Sequence, residues 1–344
     1  MRRRALVSPV LISAAAVLLA GCSSGAAGPD ASGSAPASSG ATSAAAGAFP
    51  ATVETKFGEV TVESAPQRVV ALGWGDAETA LALGVQPVGA SDWLGFGGEG
   101  VGPWAQGLYT TPPTIIETLE PSYEAIAALQ PDLILDTKSS GDQARYDRLS
   151  QIAPTIGVPE GGDSYLTTTE QQMDLVSEAL GKEDEGDRLV DALEQEFEAA
   201  AAAHPQWDGR TATVATKTSN GWGAYIEGPD GDDELGGRVA FMEALGFEQN
   251  PRVAALPANS GGFSVDVSTE QLDLLDADVV VAFPIFIPTT DLTGDAAWTA
   301  LPAVSQGRAL VIDGDTSSAF SLGTTLATSY ALQQLVPELE RVSP

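Results

Sequence analysis

The sequence predicts an α/β protein: two similar α/β lobes with mainly parallel sheets, joined by one long α-helix. Three observations carry that expectation. PSYEAIAALQPDLILDT (121–137) and VSTEQLDLLDADVVVAF (267–283) align without a gap, 146 positions apart, and each reads as a helix feeding a buried strand. Ser122 falls opposite Ser268, Glu124 opposite Glu270 and Asp132 opposite Asp278. Strand-type and helix-type segments alternate on either side of each copy, the pattern of parallel βαβ units. Finally, an amphipathic stretch from Glu183 to His204 lies between the copies.

Taken in order, the chain starts with Arg2, Arg3 and Arg4, then the apolar run ALVSPVLISAAAVLLA (5–20). That run is shorter than the roughly 20 residues of a membrane span and reads as a secretory signal over 1–21. Leu19-Ala20-Gly21-Cys22 looks like a bacterial lipobox, so Cys22 is the expected lipidation site. The plainer alternative is a signal peptide with a chance cysteine. Cys22 is the only cysteine, which excludes disulfides, cysteine-based zinc sites and thiol catalysis. Residues 22–49 are rich in Ser, Ala and Gly and read as a flexible tether reaching about 30 Å.

An N-terminal lobe is expected over 50–180. TVETKFGEVTVE (52–63) is a hairpin turning at Gly58, and RVVAL (68–72) a buried strand. A helix follows with its ends marked by Asp76 and Gly84, and QPVGAS (86–91) is the next strand. After the first repeat copy, RYDRLSQIAPTIGV (145–158) gives helix, turn and strand. Thr167 to Glu170 has the spacing of a capping box. The helix within 181–206 carries Leu189, Val190, Leu193 and Phe197 on one stripe and spans about 30 Å, long enough for a spine between lobes. The second lobe, 207–344, repeats the pattern: strand 211–217, helix 236–247, the second copy, WTALPAVSQGRALVIDG (298–314) and a final helix from Thr324.

The net charge of −31 argues against nucleic acid and against a basic membrane-binding face. Solubility alone accounts for such a charge, and a face complementary to a basic partner is the sharper alternative. With one histidine, one cysteine and no G-x-S-x-G elbow, a Ser-His-Asp hydrolase has nothing to build with. Gly95 to Gly100 matches a dinucleotide fingerprint in letters, but Gly102-Pro103 follows where a helix should start. The acidic loop Asp230–Glu234 has calcium-loop flavour and lacks the closing glutamate.

In this order, PQRVVALGWGDAETALALGVQPVGAS, YEAIAALQPDLIL, YDRLSQIAPTIGV, VSTEQLDLLDADVVVAF and WTALPAVSQGRALVIDG closely resemble the periplasmic binding proteins that deliver ferric siderophores and cobalamin to ABC importers. The resemblance covers nearly all of the chain from about residue 52 onward. It implies two lobes on one long helix, little hinge motion, a shallow cleft, and one glutamate per lobe that pairs with permease arginines. By position those glutamates are Glu124 and Glu270. The bland reading is that both merely favour a helix start, each two residues past a serine able to cap it.

In such sheets ligands sit beyond the carboxyl ends of the strands. The candidates there are Trp74, Trp93, Phe96 and Lys138 from the first lobe. Lys217, Trp222, Tyr225, Arg238, Phe283 and Phe286 come from the second. A bulky, often anionic iron chelate needs aromatic walls and a few cations, so Lys138 and Lys217 at matching strand ends stand out. Trp104 and Tyr109 are rim residues or simply pin their loop. The lone His204, before Pro205, makes haem and zinc less natural ligands. The expected whole is an extracytoplasmic, lipid-anchored, monomeric binding protein rather than an enzyme. It has no resident metal or cofactor, and iron enters only within the bound siderophore. Its partners are the permease with its cytoplasmic ATPase. The alternatives are cobalamin or haem on the same fold, a carboxylate-dependent lipid-anchored hydrolase, and a passive envelope lipoprotein.

Overall fold

The structure, a computed structural model, describes residues 47–162, 165–227, 237–260 and 262–343. The signal stretch, Cys22, the tether up to residue 46 and the acidic loop 230–234 lie outside the described residues. Among the described residues no helix is long and apolar enough to cross a membrane.

The first lobe opens with the expected hairpin, β1 (Ala51–Thr55) and β2 (Gly58–Val62), whose turn uses Gly58 at φ 103. Then come β3 (Val69–Ala71), α1 (Asp76–Ala82), β4 (Gly89–Ser91), β5 (Thr114–Ile116), α2 (Tyr123–Ala128), β6 (Leu133–Leu135), α3 (Gln143–Ser150) and β7 (Thr155–Ile156). The sheet order is β5-β4-β3-β6-β7, parallel throughout. Its central strands are short apolar runs because both faces are covered. Val69, Leu133 and Leu135 pack against α4 (Thr169–Leu180) through Met173 and Val176. On the opposite face Val70 and Ile134 meet Ile126 of α2 and Leu149 of α3.

The capping box at α4 sits one residue later than the sequence suggested. Thr168 and Gln171 form it, because the Thr167 hydroxyl instead donates to the Thr137 carbonyl at 2.7 Å. Asp76 likewise does not cap α1; Gly75 holds that position, and Asp76 is buried beneath the sheet ends.

The long helix α5 (Glu183–Ala203) is rooted in both lobes. Leu189 and Val190 pack on the first lobe's core, while Leu193 and Phe197 belong to that of the second. Past it run β8 (Thr211–Thr218), β9 (Gly221–Tyr225), α6 (Arg238–Glu243), β10 (Glu248–Gln249), α7 (Pro251–Ala254) and β11 (Ser264–Val267). The chain continues with β12 (Val279–Pro284), α8 (Thr289–Thr293), α9 (Ala296–Thr299), α10 (Pro302–Ser305), β13 (Ala309–Val311), α11 (Gly314–Leu322) and α12 (Thr325–Val342). The second sheet runs β11-β9-β8-β12-β13, with β10 also alongside β8.

This sheet is mainly parallel, through β10–β8, β8–β12 and β12–β13, with an antiparallel part at one side. β9 pairs antiparallel with both β8 and β11. The cause is a tight turn at Ser219-Asn220, with Thr218 opposite Gly221 and Gly221 at φ 138.

The repeat is real in space, with one asymmetry. Asp132 accepts from the backbone of Gln67 and Arg68 ahead of β3, and Asp278 from that of Thr211 at the start of β8. Each aspartate thus pins its strand to the neighbouring parallel strand. The first copy has a regular helix capped by the Ser122 hydroxyl, which accepts from Ala125 N at 3.2 Å. The second is a 3-10 helix (Thr269–Leu275) with non-helical backbone at Gln271, and Ser268 does not cap it. The expected serine cap therefore holds in one copy only. Gln271 stands where the first copy has Ala125, and its side chain accepts the Ser268 hydroxyl instead.

The lobes also meet away from the spine. The Trp74 indole donates to Leu322 O at 3.1 Å, Thr169 Oγ1 to Gly323 O at 2.6 Å, and Thr324 Oγ1 to Glu78 at 2.9 Å. First-lobe side chains thereby clamp three successive residues between α11 and α12.

Candidate ligand-binding cleft

Aromatic side chains gather past β3 and β4 of the first lobe and around β9 of the second. Trp74 follows β3 and Trp93 follows β4, their rings 5.6 Å apart; Tyr165 stands edge-on to Trp93 at 5.3 Å. The Trp93 indole is fixed by donating to Leu72 O at 2.9 Å. From the second lobe, Tyr225 at the end of β9 stacks between Phe263 and Phe283, at 6.3 and 5.9 Å. Phe283 is itself buried and supports Tyr225 from the core.

Arg238 opens α6 and lies over the Tyr225 ring at 4.4 Å. Lys138 follows β6 and is only 8% exposed. Its amine is lowered to about 8, first by burial and then by the positive charge of Arg238 from the other lobe; Asp76 pulls the other way.

Beneath Lys138 lies a polar floor. Asp76 accepts from Gly73 N at 2.9 Å, Thr137 N at 3.1 Å, Gln172 Nε2 at 2.7 Å and the Thr137 hydroxyl. Beside it the buried pair Arg145–Asp136 closes at 2.8 Å, and Arg145 also donates to Thr118 O.

Two candidates belong elsewhere. Lys217 pairs with Asp295, donates to Asp291 O at 3.0 Å and sits over Trp222. Trp222 stacks on Trp298 at 5.4 Å within the cluster on the sheet face opposite Tyr225, because residues alternate along β9. The symmetry drawn between Lys138 and Lys217 therefore does not hold; the cation that answers Lys138 is Arg238. Nor are Trp222 and Tyr225 loop residues past a strand, since β9 itself carries them.

Phe96 stands edge-on to Trp104 at 5.6 Å, and the Trp104 indole donates to Glu78 at 2.6 Å while its ring meets Tyr330. Trp104 and the buried Tyr109 thus pin their loop. The glycine-rich letters of 95–100 form a loop folded onto Asp92, which accepts from Phe96 N and Gly97 N. Phe286 is fully exposed beyond β12 with φ 54, a conformation that costs a non-glycine residue about 1 kcal/mol or more. Sequence reasoning missed Tyr165 and Phe263. Tyr165 sits in an irregular loop and also has positive φ, at 66, and nothing in the local pattern marks it.

Glu124 and Glu270 are both exposed, and neither enters an ion pair or hydrogen bond among the described residues. His204 is engaged: its ring nitrogens meet Ala200 O and Glu340 at 2.7 Å, and it stacks on Trp207 at 4.0 Å. Among the described residues no group of three or more His, Cys, Asp or Glu gathers to hold a metal ion.

Two α/β lobes on a shared helix, with aromatic side chains past the first lobe's strands and on β9 of the second, define a solute-binding protein of the two-lobe type. Residues 69–316 match the periplasmic binding protein family, and the chain belongs to it. A relative in Bacillus subtilis named "Probable siderophore-binding lipoprotein YfiY" is 27% identical over 73% of this chain and 76% of its own. The Fe(3+) dicitrate-binding periplasmic protein FecB of Escherichia coli is 33% identical over 46% of this chain and 49% of its own. A periplasmic solute binding protein from Mycobacterium smegmatis superposes with TM-score 0.73 at 28% identity, over 86% of this chain and 99% of that one. PiaA of Streptococcus pneumoniae, solved with ferrichrome, shares the fold at TM-score 0.69 and 24% identity, over 85% and 98% of the two chains.

Proposed function

We propose that this protein captures a ferric siderophore in the interlobe cleft and hands it to an ABC importer for iron uptake. It acts as a binding protein and not as an enzyme. The observation that supports the reading is an aromatic group of Trp74, Trp93 and Tyr165 on one lobe and Tyr225 under Arg238 on the other, with the Arg238 charge felt at Lys138 of the first lobe. Flat apolar walls with few polar anchors suit a bulky metal chelate. Relatives named for siderophore and ferric citrate binding support the same ligand class.

Iron is cargo here, held by the chelate. A carboxylate hydrolase needs two free acids at one pocket, whereas Asp76 and Glu78 are saturated with donors and Glu124 and Glu270 stand exposed on separate lobes. The lipid anchor at Cys22 keeps the protein on the outer face of the membrane. Glu124 and Glu270 face the permease, whose ATPase lies on the cytoplasmic side.

Titration of tryptophan fluorescence with ferric siderophores, cobalamin and haemin tests the reading. Trp74 and Trp93 line the cleft, so a bound ferric chelate quenches emission with a dissociation constant below about 1 μM, or about −8 kcal/mol. A flat response across the panel, or a response to haemin or cobalamin alone, would overturn it.

A further inference from the structure

Every polar atom of Trp74 is tied down. Its N donates to Lys138 O at 2.8 Å, its O accepts from Gln172 Nε2 at 3.0 Å, and its indole donates to Leu322 O of the second lobe at 3.1 Å. The turn that carries it, Gly73-Trp74-Gly75-Asp76, is built for close approach. A Cβ on Gly73 would run into the Asp76 carboxylate, and one on Gly75 would come within 2.6 Å of Thr324 Cγ2.

Of the three ties, only the one to the Trp74 carbonyl comes from a side chain. Gln172 lies on α4 and is 1% exposed. Its Nε2 also donates to Asp76 Oδ1 at 2.7 Å and to Thr137 Oγ1 at 3.3 Å. All three acceptors sit at one end of the amide, which fixes its orientation. The other end, Oε1, is buried with no hydrogen-bond partner among the described residues. A buried orphan acceptor is destabilising, so methionine, of nearly the same length, would suit the packing better. What the position needs is therefore the donor end. Asp76 already receives Gly73 N, Thr137 N and the Thr137 hydroxyl without it. The Trp74 carbonyl has no other donor among the described residues.

We propose that Gln172 is a positioning residue for chelate binding: it is buried away from the ligand, and by holding the Trp74 carbonyl it sets the ring against which the chelate packs. The assignment rests on the siderophore reading and adds to it a residue that acts only through another. A wall fixed before the ligand arrives leaves less to be ordered on binding. With the carbonyl released, the ring is free to tilt against its neighbour Trp93, 5.6 Å away.

The full chain and its variants are dialysed to equilibrium against ferric citrate, a ferric tris-catecholate and a neutral ferric trihydroxamate, with iron measured on both sides. Gln172→Met should weaken whichever chelate binds the wild type about tenfold, the equivalent of one net hydrogen bond. Gln172→Asn, an amide one methylene shorter, should weaken it too. In a Trp74→Ala background, Gln172→Met should change affinity less than about twofold, because the ring it positions has gone. Near-ultraviolet circular dichroism of the Trp74–Trp93 pair should change in Gln172→Met. It should stay as in the wild type in Ser122→Ala, which loses a helix cap elsewhere in the lobe.

Unchanged affinity or unchanged dichroism in Gln172→Met overturns the positioning role and leaves the siderophore reading standing. Equal losses in the wild-type and Trp74→Ala backgrounds do the same. So does failure of both Gln172 variants to fold, since the amide would then serve the framework alone. No binding of any chelate by the wild type overturns both readings.

Discussion

Four hydrogen-bond donors converge on Asp76, from Gly73, Thr137 (twice) and Gln172, and such an array favours a carboxylate. Burial outweighs it, with the charge of Asp136 adding to the effect, and the group is raised from 3.8 to about 6. A raised folded-state value means that the folded protein holds this proton more tightly than the unfolded chain does. The resulting contribution to stability is full below pH 4 and is lost as pH rises through about 6. Its size is on the order of 3 kcal/mol. Asp76→Asn removes this dependence and puts an amide donor against donors that an acceptor should meet. Relative to the wild type, the variant should therefore look worse at pH 4 than at pH 7. Urea midpoints measured at steps across that window check it, and parallel curves for the two proteins would refute the assignment.

Among the elements, α1 and α12 are joined by one buried carboxylate. Glu78 accepts from Gly102 N at 3.0 Å, Trp104 Nε1 at 2.6 Å and Thr324 Oγ1 at 2.9 Å. Thr324 in turn caps α12 by accepting from Ala327 N at 3.2 Å. One hydroxyl thus starts the last helix and ties it to the first lobe. Glu78→Gln should cost about 1–3 kcal/mol, because its amide meets donors. Thr324→Ala should cost about 1 kcal/mol from the cap alone. A double-mutant cycle should give a coupling of about 1 kcal/mol, and strict additivity would show that the tie is energetically silent.

The same scale shows what the sequence could and could not reveal. The first lobe's βαβ units, α5 and the repeat were legible because they depend on local periodicity. The β8–β9 hairpin turns at Ser219-Asn220, which is not one of the Asn-Gly or Asp-Gly pairs that mark such a turn, so the sequence pattern did not reveal it. The 3-10 form of the second copy turns on Gln271 replacing Ala125, a side-chain competition that periodicity does not encode. Lys138 and Lys217 look alike near strand ends in the sequence, and only tertiary contacts give Lys217 an acid and leave Lys138 without one among the described residues. Tyr165 and Phe263 come from irregular segments whose place in space depends on everything around them.

At the scale of the molecule, α5 is rooted in both cores and the clamped residues 322–324 add a second joint. Two joints limit rotation of one lobe against the other, so under the proposed docking role Glu124 and Glu270 would be held at a fixed separation. Rigidity would matter for such a two-point dock: once one carboxylate met a basic group of a partner, the second would already be positioned, and the two contacts would multiply. Both glutamates are exposed, so each contact alone is modest. Glu124→Ala or Glu270→Ala should each lower iron uptake about tenfold, and the pair should abolish it. Affinity for the ferric chelate should stay within about twofold of the wild type, because neither residue follows a strand end at the cleft. Uptake of labelled ferric chelate by cells, set beside fluorescence titration of the purified variants, separates the two effects. A measured loss of ligand affinity in the double variant would move both glutamates from the docking face to the cleft, and unchanged uptake would remove them from docking altogether.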